Sequence, residues 1–124
     1  MSRIDIATHP APARADVSVI HVKGFLDTTT IHELEKQLES HLSDARIRIV
    51  VNLDGLDYIS SAGLGVFMGV IDRVRGANGD IKLAGLSPKV YRVFDLLGFT
   101  SLFQIVPTVD EAVAGFAAPG RGAA

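Results

Sequence analysis

The sequence contains no cysteine, which excludes disulfides, thiol nucleophiles and thiolate metal sites. Its 12 basic and 14 acidic residues leave a formal net charge of −2, and neither sign is gathered into a long block. Because binding to nucleic acid needs a basic face, we expect no nucleic-acid partner. No apolar run reaches the roughly 18 residues of a membrane span, and the first residues have no apolar signal core. The sequence therefore predicts a cytoplasmic protein without direct membrane insertion.

The hydrophobic fraction of 48%, against 21% charged residues, is typical of a folded chain, and a length of 124 residues fits one core. We predict a single domain over residues 1–118. Residues 119–124 are rich in alanine, glycine and proline and have nothing to pack against. They are predicted to form a mobile C-terminal tail.

Apolar periodicity predicts an α/β fold. Strand-like segments at residues 4–8 and 17–22, with prolines between them, suggest an antiparallel hairpin. Helices and strands then alternate, which predicts a mixed sheet of about four to five strands with about four helices. Capping boxes at Thr30 and Thr108, and Ser87 before Pro88, indicate three helix starts. The predicted buried stripes are Ile31, Leu34, Leu38 and Leu42; Leu64, Phe67, Ile71 and Val74; Val90, Val93, Phe94 and Leu97; and Val109, Ala112, Val113 and Phe116.

Candidate catalytic and metal-binding groups are sparse. The histidines His9, His21, His32 and His41 show no spacing typical of a metal site, and we interpret them as solvated surface residues. Ser61 lacks the Gly-x-Ser-x-Gly elbow of hydrolases. We therefore predict no catalytic residues, no metal, no cofactor and no enzyme activity.

Gly63, Gly65 and Gly69 resemble a dinucleotide-binding fingerprint. In that fingerprint the glycines follow a strand directly, whereas here about ten residues separate them from the preceding predicted strand. We favour glycines that permit tight helix entry and close packing. A nucleotide-binding or hydrolytic enzyme stays open as a third function, which turnover of ATP or GTP would reveal.

Two adjacent serines, Ser60 and Ser61, stand at the expected start of the second helix. Helix capping would explain one of them. A hydroxyl near a helix N-terminus is also a favourable place for a phosphate, because a charge of about −1.5 to −2 meets free amides and the positive end of the helix dipole. Such a phosphate would alter an exposed patch and block a docked partner by repulsion and desolvation.

Segments spread over nearly the whole chain resemble one known family. They are Tyr58-Ile59-Ser60-Ser61-Ala62-Gly63-Leu64-Gly65-Val66, Val22-Lys23-Gly24-Phe25-Leu26-Asp27, Leu86-Ser87-Pro88-Lys89-Val90-Tyr91-Arg92-Val93-Phe94 and Leu97-Gly98-Phe99. These segments are similar to the phosphorylation loop, the strand end with its aspartate, and the downstream helix of STAS domains, in particular of the anti-sigma factor antagonists.

The resemblance implies a single STAS domain that acts as a phospho-regulated switch. In such systems the unphosphorylated protein binds an anti-sigma factor that is also a serine kinase, and so frees a sigma factor. Phosphorylation releases the antagonist, and a serine phosphatase resets it. The implied phospho-acceptor is Ser61. The implied partner-binding residues are Asp27, Thr28, Ser60, Ser61, Ala62, Gly63, Leu64 and Gly65.

Two alternatives stay open within this family. Ser60 stands where many members carry aspartate, which makes it an alternative acceptor. The Ser-Ser-Ala-Gly-Leu form also resembles STAS domains outside sigma control. A constitutive scaffold or transporter-accessory subunit without a phosphate cycle is therefore the second function.

Overall fold

A six-stranded mixed sheet forms the centre of the computed structural model, which describes residues 3–117. The strands are β1 (Ile4–Ala11), β2 (Arg14–Leu26), β3 (Arg48–Asn52), β4 (Leu56–Ile59), β5 (Asp80–Ala84) and β6 (Ile105–Val106). Their order is β1-β2-β3-β5-β6, and β4 pairs with the end of β2. The β1–β2 pair is antiparallel and every other pair is parallel.

Four helices connect these strands: α1 (Ile31–Ser43), α2 (Ser61–Gly76), α3 (Pro88–Leu96) and α4 (Val109–Ala114). A short 3-10 turn (Phe99–Ser101) follows α3. Within residues 3–117, no helix has the length and apolar character needed to cross a membrane. The tail predicted at residues 119–124 lies outside the described part of the chain.

Buried side chains form one layer on each face of the sheet. The larger layer packs α1, α2 and α3 against one face, with Leu34, Phe67 and Phe94 fully buried. The smaller layer packs α4 against the other face; its members are Ala11, Val17, Val19, Val50, Ala84, Ala112 and Val113. Each predicted stripe contacts these layers except at Leu97, which is 56% exposed. Leu97 is exposed because α3 ends one residue earlier, and Gly98, with φ at 79°, turns the chain away.

The predicted N-terminal hairpin is confirmed, with longer strands than expected. Pro10 lies inside β1 and the connection shrinks to Pro12 and Ala13. A proline is tolerated there because β1 is an edge strand, where a missing N–H need not remove a sheet hydrogen bond.

Strand β4 was not predicted, and it brings the sheet to six strands instead of the predicted four to five. It is short and has only its two end residues buried, so it carries no clear period-two signal.

The capping box predicted at Thr30 is wrong. The Thr30 side chain makes no capping bond to α1. Its hydroxyl instead donates to the Phe25 carbonyl at 2.7 Å and accepts from the Asp27 amide at 3.0 Å. Thr30 therefore holds the loop between β2 and α1. Ser87 and Thr108 do cap α3 and α4, as predicted.

His41 was predicted to be a solvated surface residue. This prediction is wrong, because His41 is only 5% exposed. It lies three residues after Leu38, on the side of α1 that faces the sheet. Its Nδ1 is 2.8 Å from the Gln37 carbonyl oxygen, and its Nε2 is 3.4 Å from Thr8 Oγ1 on β1.

His9 and His21 are brought together by the β1–β2 hairpin. Their Nε2 atoms are 2.7 Å apart, and their rings stack with centroids separated by 4.9 Å. On the far side of His21, Nδ1 is 3.0 Å from Asn52 Nδ2, and Asn52 Oδ1 accepts from the Asp54 amide. The prediction of solvated surface residues therefore holds for the exposed His9 but not for the half-buried His21. The two histidines lie too far apart in sequence for a local pattern to connect.

These contacts are compatible with one arrangement of protons. The Asn52 amide nitrogen can only donate, so His21 Nδ1 accepts and His21 Nε2–H donates to His9 Nε2. His9 Nδ1–H then donates to the Pro10 carbonyl at 2.8 Å. Both imidazoles are neutral in this chain of hydrogen bonds, and an added proton on either ring would break one bond.

We expect this arrangement to make stability depend on pH. The pKa of His21 is lowered, chiefly because burial disfavours the imidazolium, and also because His9 and Lys23 add positive charge; Asp54 opposes the shift. Stability from neutral His21 is present above the ordinary histidine pKa of about 6.5 and is lost as the pH falls through the lower folded value. Urea unfolding measured from about pH 7.5 down to about pH 5 should show a smaller loss of stability on acidification in His21→Gln than in the unchanged protein.

His32→Gln is the matched control, because His32 has a side chain that is 85% exposed and takes no part in this chain of bonds. It should keep the pH dependence of the unchanged protein. Equal pH slopes for His21→Gln and the unchanged protein would contradict the neutral hydrogen-bonded arrangement.

Candidate functional site

The candidate site lies where β2 and β4 end side by side. Leu26 and Ile59 are partners in the parallel register, so Asp27 and Ser60, which follow them, leave the sheet at the same edge. The Ser60 amide donates to the Leu26 carbonyl at 3.0 Å, which extends the pairing by one residue. Helix α2 begins immediately afterwards. The fold thus brings together two predicted segments that are more than thirty residues apart in the chain.

The two serines have different environments. Ser60 is the N-cap of α2: its Oγ accepts from the Gly63 amide at 3.2 Å, and its carbonyl accepts from the Leu64 amide at 3.0 Å. Ser61 is the first helical residue and is exposed. Within residues 3–117, neither its hydroxyl nor the amides of Ser61 and Ala62 have a hydrogen-bond partner. One serine therefore holds the helix start, and the other presents a free hydroxyl beside two free amides.

Gly63 is required by the close approach of α2 to the strand ends. A Cβ at this position would lie 2.9 Å from both the Leu26 carbonyl oxygen and Ile59 Cγ1. Gly63 follows β4 by only a few residues, so the predicted separation from the preceding strand is wrong. The space beside this glycine is nevertheless filled by protein, which leaves no room for a phosphate against its backbone.

Gly65 and Gly69 do not share this packing role. A Cβ at either position would have no atom within 4 Å. Both line a groove of about 150 Å³ between α1 and α2, together with Ala62 and side chains of α1. The prediction of close packing therefore holds for Gly63 alone.

Asp27 is held as a carboxylate at the end of β2. Its Oδ1 accepts from the Thr29 hydroxyl at 2.7 Å and from the Thr29 amide at 2.9 Å, and its Oδ2 pairs with Arg3 Nη2 at 3.0 Å. The Thr29 hydroxyl and amide hydrogen bonds lower the pKa of Asp27, and the positive charge of Arg3 adds to the effect. A fixed negative charge therefore lies at the edge of the site.

An aromatic pair next to the site was missed in the sequence. Phe25 and Tyr58 are 39% and 43% exposed, and their ring centroids are 6.1 Å apart. The Arg3 guanidinium lies 4.9 Å from the Phe25 ring centroid. Period-two alternation could have revealed Phe25, because it precedes the core-facing Leu26 at the end of β2. It could not have revealed Tyr58, because β4 carries no clear period-two signal.

The predicted partner-binding residues differ in exposure. Thr28, Ser61 and Gly65 are exposed, whereas Asp27, Ser60 and Ala62 are half-buried. Gly63 and Leu64 are buried, and Leu64 is part of the core under α2. The last two residues therefore position the helix, and the other six lie on or near the surface.

Comparison with known proteins identifies the family. A sequence profile of the STAS domain matches residues 9–112. The chain belongs to the STAS domain family. Relatives of this STAS domain include BtrV of Bordetella bronchiseptica, described provisionally as an anti-sigma factor antagonist, which is 35% identical over 95 residues, 77% of this chain and 82% of that protein. The anti-sigma-B factor antagonist of Staphylococcus aureus is 31% identical over 86 residues, 69% of this chain and 80% of that protein.

Solved structures share the fold of this STAS domain. An anti-sigma factor antagonist from Mycobacterium paratuberculosis superposes with a TM-score of 0.80 at 23% identity, covering 90% of this chain and 92% of that chain. The phosphorylated form of SpoIIAA, a Bacillus cell fate determinant, gives a TM-score of 0.66 at 21% identity, covering 87% of this chain and 97% of that chain. These likenesses confirm the predicted mixed α/β STAS fold.

Gly63 and Gly65 of α2 provide a matched pair for stability measurements. Gly63→Ala should lower the free energy of unfolding by about 1–3 kcal/mol, because the added methyl group overpacks the strand ends. Gly65→Ala should raise it by about 0.5–1 kcal/mol, because alanine favours the helix and meets open space. Urea denaturation measures both. Equal stability of Gly63→Ala and the unchanged protein would contradict the close approach.

Proposed function

We propose that the protein is a phospho-regulated anti-sigma factor antagonist, which binds an anti-sigma factor with serine kinase activity while Ser61 is unphosphorylated. The observation that carries the proposal is the division between the two serines: Ser60 is engaged as the cap of α2, while the exposed Ser61 hydroxyl has no partner within residues 3–117. The names of the curated relatives support an antagonist role.

The position of Ser61 suits a phosphate. The free amides of Ser61 and Ala62 can donate to phosphate oxygens, and the positive end of the α2 dipole favours the added charge. No acidic residue lies in the first turn of α2 to oppose it. Phosphorylation at this position is therefore compatible with the folded domain.

The proposed release of the partner follows from electrostatics at the site where β2 and β4 end side by side. A phosphate adds a charge of about −1.5 to −2 close to the ionised Asp27. A partner that docks on this edge when Ser61 is neutral would have to desolvate the phosphate or meet it with a cation. The patch around Asp27, Thr28 and Ser61 thus changes from a polar docking surface to a strongly negative one.

Phosphorylation assays should distinguish the two serines. With ATP and a kinase captured by the unphosphorylated protein, we expect one phosphate on the unchanged protein and none on Ser61→Ala. Ser60→Ala should still accept phosphate on Ser61, although loss of its cap should lower the free energy of unfolding by about 1 kcal/mol. Mass spectrometry of the intact chain and its peptides gives the count and the position.

Phosphate on Ser60, or undiminished phosphorylation of Ser61→Ala, would overturn the assignment. If protein purified from its native cells carries no phosphate under any growth condition, and transporter subunits are captured with it, the constitutive scaffold becomes the better interpretation.

A charge at Ser61 should weaken partner binding. For Ser61→Asp we expect the dissociation constant for the captured kinase to rise by at least about tenfold, because negative charge is placed next to Asp27 on the docking surface. Ser101→Asp is the matched control, since Ser101 is also exposed but lies in the 3-10 turn after α3. Titration calorimetry measures both, and equal affinities for the two variants would contradict the electrostatic mechanism.

A further inference from the structure

We propose that β1 is a docking surface for a second copy of this chain, with the two β1 strands pairing antiparallel about a two-fold axis at Ala7. This inference is independent of the phosphate switch. Strand β1 spans eight residues and is bonded only to β2 within residues 3–117, so that its other side is an open sheet edge. Long open edges are templates for pairing with another strand.

Backbone hydrogen bonds determine which residues of β1 face the open edge. In an antiparallel pair, opposite residues alternate between pairs that exchange two hydrogen bonds and pairs whose backbone groups point away. Ile4 is opposite Gly24, so Arg3 is opposite Phe25. The Phe25 amide donates to the Arg3 carbonyl at 2.9 Å, which makes this a bonded pair.

The alternation then continues along the strand. Asp5, Ala7 and His9 direct their backbone groups towards β2, because they lie two, four and six residues after Arg3. Ile6 and Thr8 direct theirs towards the open edge. Within residues 3–117, the backbone N–H and C=O groups of Ile6 and Thr8 on this side have no partner.

A self-complementary register centred on Ala7 satisfies these groups. With Ala7 opposite its own symmetry copy, Ile6 lies opposite Thr8 of the second chain, and Thr8 opposite Ile6. Each of these pairs exchanges its two N–H to C=O bonds, which satisfies every edge-facing group of Ile6 and Thr8 in both chains. The register shift in β1 falls between Pro10 and Ala11, outside this central segment.

The side chains fit the same register. Asp5 and His9 are the charged or titratable residues of β1, and both are exposed. In the dimer each Asp5 lies opposite His9 of the second chain, so no like charges oppose one another. The small Ala7 side chains meet across the axis, where non-bonded partners have Cα atoms about 4.5 Å apart. β1 carries no lysine to protect its edge, and its one proline, Pro10, lies beyond the paired segment.

Sedimentation equilibrium of the full chain tests the proposal. We expect a concentration-dependent rise from the chain mass of 13.2 kDa to twice that value. Ala7→Lys should raise the dimer dissociation constant by at least about tenfold, because two ammonium groups meet at the axis. Ala13→Lys, in the exposed turn of the same hairpin, is the matched control and should leave the dissociation constant unchanged. Circular dichroism should show both variants folded.

Charge exchange tests the register itself. His9→Asp places an aspartate opposite Asp5, so this variant alone should dimerise more weakly than the unchanged protein. Asp5→Lys places a lysine opposite the neutral His9, where it meets no opposite charge. In a heterodimer of the two variants, the introduced lysine lies opposite the introduced aspartate, and the remaining native His9 and Asp5 also lie opposite each other. A mixture of the two variants should therefore form the heterodimer preferentially.

A single mass of 13.2 kDa at all concentrations would overturn the proposal. So would a dimer insensitive to Ala7→Lys, which would place the interface elsewhere. Failure of the two charge variants to prefer each other would refute the Ala7-centred register.

Discussion

The parallel pairing of Leu26 with Ile59 is the interaction on which the candidate site depends. It brings the ends of β2 and β4 together, and the Ser60 amide extends the pairing to the first turn of α2. Helix α2 can lie so close to these strand ends only because residue 63 has no side chain. A short strand with two buried residues thus determines where the serines, the Asp27 loop and the helix dipole meet.

At this junction, a structural role and the proposed regulatory role fall on neighbouring residues. Ser60 satisfies an amide of α2, a bond that a phosphate on the same oxygen would disturb. Ser61 makes no such bond within the described part of the chain, so its modification can alter surface charge without removing a capping interaction. Asp27 is fixed by Thr29 and Arg3, and these contacts lower the pKa of its carboxyl group. The proposed switch therefore requires a change in electrostatics at the surface rather than a rearrangement of the core.

The position of β2 separates the two proposed interaction surfaces. β1 lies along one side of β2, and β3 and β4 lie along the other. Pairing through β1 would leave both copies of Ser61 accessible, because α2 starts after β4. A dimer could then present two separate switch sites to its partners, and binding at one surface would not require release at the other.

The sequence by itself determined the α/β class, the inward faces of the helices, two of the three predicted side-chain caps and the place of the paired serines, because these depend on local periodicity and turn chemistry. Only the tertiary structure decided which serine caps α2, that Thr30 bonds to Phe25 rather than to its helix, and that His9 contacts His21. The physical reason is competition among hydrogen-bond partners: a polar side chain has several acceptable partners, and packing between distant segments selects one.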